Sequence, residues 1–246
     1  MIKHPKYDRG NIYLSGGMQF KKGLGAKWRK TCSEKLMAMG YFPLDICELD
    51  RAYAEANKEL FYRFSKDFTR DELLRFKSNI RKHFIFTDLE LVRKDSDAII
   101  VLWDEGAQLG GGTHNEISDA YEHDIPIFLV TQVPLEKIPG WVVSQTTKIF
   151  TRWEQLYTYL ENLPHRILRR DVYGNHHSGE HYLCSLCGDP FKKEKHHFVS
   201  TISPLYCKEY VVAVTETYED IVDRYQFFIE YLENEAFQET SSEENR

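Results

Sequence analysis

Apolar residues recur along the first two thirds of the chain in two alternating rhythms. NIYLSGG (11–17) is a short β-branched and aromatic run ended by two glycines, the pattern of a strand feeding a turn. AKWRKTCSEKLMAMG (26–40) repeats apolar positions at helical spacing and stops at Gly40, a suitable helix end. YFPLDI (41–46) predicts a second strand, at a sheet edge because Pro43 cannot donate to a ladder. Residues 50–82 are charged, with aromatic residues at helical intervals, and predict one or two surface helices forming an insertion. A further helix runs through FTDLELVRKDS (86–96). DAIIVLW (97–103) is almost wholly apolar, as a strand covered on both faces must be. A helix over 113–124, a buried strand over 125–131, and a short strand with a closing helix across 148–163 complete the series.

This alternation predicts an α/β fold, a doubly wound parallel sheet flanked by helices and joined by right-handed crossovers. Ligands of such sheets lie beyond the carboxyl ends of the strands. Three loops reach that edge: Ser15-Gly16-Gly17, Asp104 to Gly112, and the one after Thr131. The chain changes character after Pro164, becoming polar, histidine-rich and irregular. The expected organisation is therefore one α/β domain over 1–164 and a small Cys/His lobe over 165–246. That lobe includes an amphipathic helix over 215–237 and a disordered tail, QETSSEENR.

Composition narrows the function. With 246 residues there is material for one ample core or for a medium domain plus a small one, and a net charge of −6 supplies no global attraction to nucleic acid or an anionic membrane. The first residues lack a signal-peptide core and no run of eighteen apolar residues occurs, so a cytoplasmic location is expected. Five cysteines do not make a disulfide scaffold at this length, and Cys32 and Cys47 read as buried thiols.

LGGGTHNEISDAYEHDIPIFLV (109–130) sets three glycines before Thr113, His114, Asn115 and Glu116. One reading is a tight strand-to-helix turn with Thr113 as N-cap and Glu116 at N3, completing a capping box. Three successive glycines exceed what a cap requires, which points to a ligand approaching the backbone at a helix start. Glu116 would then stay ionised through the helix dipole. The loop IYLSGGMQF is a second strand–glycine turn, with Lys27 and Arg29 on the following helix as candidate phosphate ligands. Neither a Walker lysine nor the spacing of a dinucleotide fingerprint is present.

IYLSGGM with a following Trp28, TDLELVRKDSDAIIVLWDE, GGGTHNEISDAYEHDIPIFLV and PGWVVSQTTKIFTRWEQLYTYL occur in that order. Together they resemble the nucleoside 2-deoxyribosyltransferase family and the related deoxynucleotide N-glycosidases, over roughly residues 10–163. LSGGM with Trp28-Arg29 is similar to a phage-type branch. The resemblance implies cleavage or transfer of an N-glycosidic bond, needing no cofactor, with Glu116 as nucleophile and Asp88 assisting the leaving base. Substrate contacts then fall to Tyr13, Ser15, Gly16, Gly17, Asp104, Gly111, Gly112, Thr113 and Asn115. Such chemistry suits a carboxylate, which stabilises or traps an oxocarbenium-like sugar. Many members carry another aspartate six residues before the glutamate. Here that position is Gly110, with Asp104 or Asn115 as replacements. Asp97 reads as a helix–strand junction residue, and Tyr13 as either a ligand contact or core. By the same analogy the chain forms a homo-oligomer.

HYLCSLCGDPFKKEKHHFVSTISPLYC (181–207) contains a C-x-x-C knuckle followed by a histidine pair and a third cysteine. Cys184, Cys187, His197 (His196 as alternative) and Cys207 make a candidate structural zinc site, closed to water by four protein ligands. The string also resembles the opening of HNH endonucleases. No histidine follows His197, so the nuclease machinery is incomplete. Lys192, Lys193 and Lys195 give a weak basic patch. Two alternatives to an enzyme stay open: a nucleotide-binding sensor or sponge on the same fold, and a zinc-lobe module for nucleic acid.

Overall fold

The structure is a computed structural model of the chain. It describes residues 6–47, 65–163, 183, 187–190, 196–198 and 205–207, the last two stretches as backbone. Two compact units are present, Met1–Cys207 and Lys208–Arg246, and the second lies outside the described residues.

Strand β1 (Asn11–Gly16) leads through the first glycine loop into α1 (Ala26–Ala38), which ends at Gly40 with φ +87°. That backbone region suits glycine. Strand β2 (Phe42–Leu44) follows, and Pro43 sits on the sheet edge where its missing N–H does no harm. After helix α2 (Arg70–Ile80) and α3 (Phe86–Glu90) come β3 (Ala98–Trp103), α4 (Glu105–Leu109), α5 (Gly111–Glu122) and β4 (Ile127–Thr131). The layer closes with α6 (Gly140–Gln145), β5 (Lys148–Phe150) and α7 (Trp153–Glu161). The five strands are all parallel, in the order β2-β1-β3-β4-β5.

Alternation of side chains across the pleat divides the core in two. Ile12, Leu14, Ile100, Phe128 and Val130 face Cys32 and Leu36 of α1 and Leu156 and Leu160 of α7. Tyr13, Ile99, Val101 and Leu129 face Ala107, Ile117 and Ala120 of α4 and α5, with Val92 and Val142. Each large side chain so buried contributes about 1.5–3 kcal/mol. The continuous apolar run of β3 is explained by cover on both faces, as its sequence predicts.

Two elements differ from expectation. The helices over 50–82 and 86–96 are not separate where the structure describes them. One helical run extends from Arg70 to Asp95, through π-helical turns at Arg81–Ile85 and Leu91–Asp95 on either side of α3. No glycine or proline interrupts it, and it opens on a Thr69–Glu72 capping box. The stretch 105–109, expected as loop, is the short helix α4, capped by the Asp104 side chain on the Ala107 N–H at 3.0 Å. No helix among the described residues is long and apolar enough to cross a membrane.

Candidate active site

β1 and β3 are neighbours in parallel register, Gly16 opposite Leu102, so the loops that leave them meet at one edge of the sheet. Gly17 packs so tightly against α4 that a Cβ there would lie 2.5 Å from the Gly106 carbonyl carbon. The two loops, the start of α5 and the run from Arg70 to Asp95 enclose a cavity of about 360 Å³. That is within the roughly 300–1,000 Å³ range of small-molecule sites. Its walls are Gly16 to Gln19, Ile46, Ile80, Phe84, Ile85, Asp88, Leu89, Gly110 to Thr113, Asn115 and Glu116.

Glu116 is 6% exposed and lines this cavity. The Tyr13 phenol donates to its Oε1 at 2.8 Å, and the Ser15 hydroxyl donates to Oε2. Both donors come from β1 at positions i and i+2, one face of the strand, which fixes the carboxylate from below. Burial raises the pKa of Glu116 above the ordinary glutamate value; the two hydrogen bonds and the charge of Arg29 oppose that rise. Burial, then the charge of Glu116, pushes the Tyr13 phenol well up, so it stays a donor.

The expected capping box is absent. Helix α5 begins at Gly111 with Gly110 as N-cap and no side-chain cap bond, which makes Glu116 its sixth residue. Three unbranched glycines let the helix start a turn earlier than Thr113. Glu116 consequently lies beyond the first turn, where the dipole has largely faded, and does not owe its charge to the helix end.

Asp88 lines the cavity from the helical run. The two carboxylate-bearing elements are pinned to each other by Arg93, which grips Asp119 of α5 with Nε at 2.8 and 3.0 Å and a second nitrogen at 2.6 Å. This fork-on-carboxylate contact lies five residues after Asp88 and three after Glu116, so it fixes their relative register.

The structure brings Gly16, Gly17, Asp88, Gly111, Gly112, Thr113, Asn115 and Glu116 together around the cavity. Tyr13 and Ser15 stand behind the carboxylate rather than on the wall. Asp104 is not on the wall: it caps α4 and pairs with Lys21, so of the two residues expected to stand in for an aspartate at Gly110, Asn115 is the one that lines the cavity. The phosphate role expected of Arg29 fails because its guanidinium is buried, donating to the carbonyls of Gly16, Leu24 and Leu14. Lys27 opens onto a different groove, with Trp28 and Trp153. Asp97 is the junction residue expected of it, accepting the Asn11 N–H at 2.8 Å. Sequence reasoning missed Met18, Gln19, Ile46 and the apolar wall of Ile80, Phe84, Ile85 and Leu89. The four-residue spacing of Ile80, Phe84 and Asp88 was the available signal.

Of the zinc candidates, Cys184 lies outside the described residues, as do the side chains of His196, His197 and Cys207. Strands β6 (His196–Phe198) and β7 (Leu205–Cys207) pair antiparallel, with His196 opposite Cys207 and His197 opposite Tyr206. Cys187 is half-buried, Gly188 takes φ +74°, and their carbonyls accept from Lys148 (3.3 Å) and Tyr159. Among the described residues no three His, Cys, Asp or Glu side chains are grouped to hold a metal ion.

No protein-family model and no curated protein matches the sequence. Among solved structures, the 2-deoxyribosyltransferase of the psychrotolerant bacterium Bacillus psychrosaccharolyticus is similar over 61% of this chain and 91% of its own. The identity is 15% and the TM-score 0.37. A conserved protein from Enterococcus faecalis V583 is similar over 66% and 92%, at 14% identity and a TM-score of 0.31.

Proposed function

We propose that the chain cleaves or transfers the N-glycosidic bond of a 2′-deoxyribonucleoside or its 5′-phosphate, with Glu116 as the nucleophile. One observation carries this reading: a buried carboxylate, held at both oxygens by Tyr13 and Ser15, turns toward a cavity of nucleoside size that a second carboxylate also lines.

Departure of the base leaves positive charge on the anomeric carbon. A fixed carboxylate placed there stabilises that charge or bonds to the carbon, and water or a second base then completes hydrolysis or transfer. Donors already in place mean that Glu116 reorganises little as the bond breaks. Asp88, on the other wall, is the group to hydrogen-bond or protonate the departing base. Phe84, Ile85 and Leu89 offer an apolar surface to the flat base, and the bare backbone of Gly110 to Gly112 allows close approach of the sugar or its phosphate.

The exposed side chains of Ile85, Phe86 and Leu109, next to this cavity, support self-association of the chain. The residues from 165 onward are proposed to form a small structural zinc lobe, on the strength of the C-x-x-C spacing.

The test is incubation with a panel of deoxynucleosides, their 5′-phosphates and the matching ribonucleosides, with chromatography of the free base. Base release from at least one deoxy substrate is expected. Tight binding of these compounds without release favours the sensor or sponge reading.

A further inference from the structure

We infer that Arg29 is the buried counter-charge of this site: a positioning residue that keeps Glu116 anionic and fixes the Ser15–Gly17 turn, without touching substrate.

Arg29 lies on the first turn of α1, under the loop that follows β1, and is fully buried. Its guanidinium reaches the carbonyl oxygens of Gly16 at 2.8 Å, Leu24 at 3.1 Å and Leu14 at 3.4 Å, and stacks 4.6 Å over the Trp28 ring. Leu14 and Gly16 flank Ser15, one of the two donors to Glu116. The same side chain therefore shapes the turn that holds the carboxylate.

Carbonyl dipoles and an aromatic face satisfy the donors of a cation but do not neutralise it. The acids around Arg29 complete the account. Asp45 stands 3.9 Å from its Nε. The Leu14 and Gly16 carbonyls that Arg29 holds flank Ser15, a donor to Glu116, and from there its charge opposes the rise that burial gives the Glu116 pKa. Among the described residues, β1 brings Tyr13 and Ser15 to Glu116, Arg29 of α1 lies behind the Ser15 turn, and the helical run brings Asp88 to the same cavity. Within α5, His114 packs on the edge of Trp103 and Asp119 is occupied by Arg93. Tyr13 and Ser15 are neutral, and Asp88 supplies no positive charge. Arg29 is thus, among the described residues, the cation set against desolvation of the nucleophile, the part the helix end does not play.

A purely structural clamp would use the same three carbonyls, so the test reads charge. Glu116 is titrated by carboxyl-carbon NMR, its resonance assigned by loss in Glu116→Gln. Arg29→Gln keeps amide donors but removes the charge, and raises the Glu116 midpoint by about one unit or more; Arg29→Lys leaves it within about half a unit. An unchanged midpoint in Arg29→Gln overturns the inference, and so does an equal rise in both variants. Should Arg29→Gln not fold, the double variant Arg29→Gln/Glu116→Gln decides. Recovery of folding supports a counter-charge, because the anion has gone too, whereas failure to recover shows a clamp alone. The inference rests on Glu116 as nucleophile, yet the titration needs no turnover. A protein without base release would refute the assignment of function, while the midpoint separately decides the role of Arg29.

Discussion

The phenol of Tyr13 lies 2.8 Å from Oε1 of Glu116, joining the middle of β1 to the second turn of α5 across 103 positions of sequence. Tyr13 is fully buried, and nothing in a strand tyrosine announces that its hydroxyl serves a buried carboxylate on a distant helix. Tyr13→Phe removes one of two fixed donors from a buried acid. The expected result is a fall of roughly ten- to a hundredfold in base release, about 1.4–2.7 kcal/mol at the barrier. The acid limb of kcat/KM should also move to higher pH, because that hydrogen bond holds the Glu116 pKa down. Steady-state kinetics across pH check both.

As the proposed nucleophile, Glu116 would attack as the anion, so activity should appear as pH rises through its raised pKa. The acid limb of kcat/KM should lie above the ordinary glutamate range. Stability runs the other way. An acid whose folded pKa exceeds its unfolded value favours folding most when protonated, and that contribution is lost as pH rises through the folded value. Thermal melts of wild type and Glu116→Gln should therefore diverge with rising pH, the variant becoming relatively more stable. Parallel curves would count against a buried, ionising Glu116.

Much of this arrangement was legible in the sequence because it follows from periodicity. The apolar runs at 97–103 and 125–131 specify central strands, Pro43 specifies an edge, and alternation of strands with helices brings the glycine loops to one side. What escaped was set by tertiary burial. Charge at Lys27 and Arg29 looked like a phosphate site, but α1 turns Arg29 under the sheet edge and Lys27 away from the cavity. Asp104 read as a ligand and is consumed as a helix cap. The four-residue spacing of Ile80, Phe84 and Asp88 hints at one face, but the π-helical turns on either side of α3 shift the pattern that would aim that face at a cavity.

Gly110 stands where many members of the family that the sequence resembles carry aspartate, and the backbone there has room. Its φ is −92°, and an added Cβ would meet only the Gly106 carbonyl oxygen at 3.4 Å. As an N-cap position it also suits aspartate. Gly110→Asp should keep its Tm within about 2 °C and move the acid limb upward, since a like charge disfavours ionised Glu116. Above that limb, a carboxylate able to assist the leaving base should raise release by about tenfold or more.

The register of the β6–β7 pair distinguishes the two zinc candidates at 196 and 197. In that backbone register the residue opposite Cys207 is His196, and His197 stands opposite Tyr206. Metal analysis of purified protein should find about one zinc per chain. Cys184→Ser and His196→Ala should each lose it, while His197→Ala retains it. Metal-free wild-type protein would exclude the site, and loss in His197→Ala alone would reverse the choice of histidine.

The most direct test of the central assignment compares free-base release by wild type and Glu116→Gln, with folding of the variant verified by its melt and circular dichroism. The account predicts a loss of about a thousandfold or more with the fold intact, the scale of removing a preorganised charge from the transition state. A folded Glu116→Gln protein that releases base within about threefold of the wild-type rate, under half a factor of ten, would contradict it.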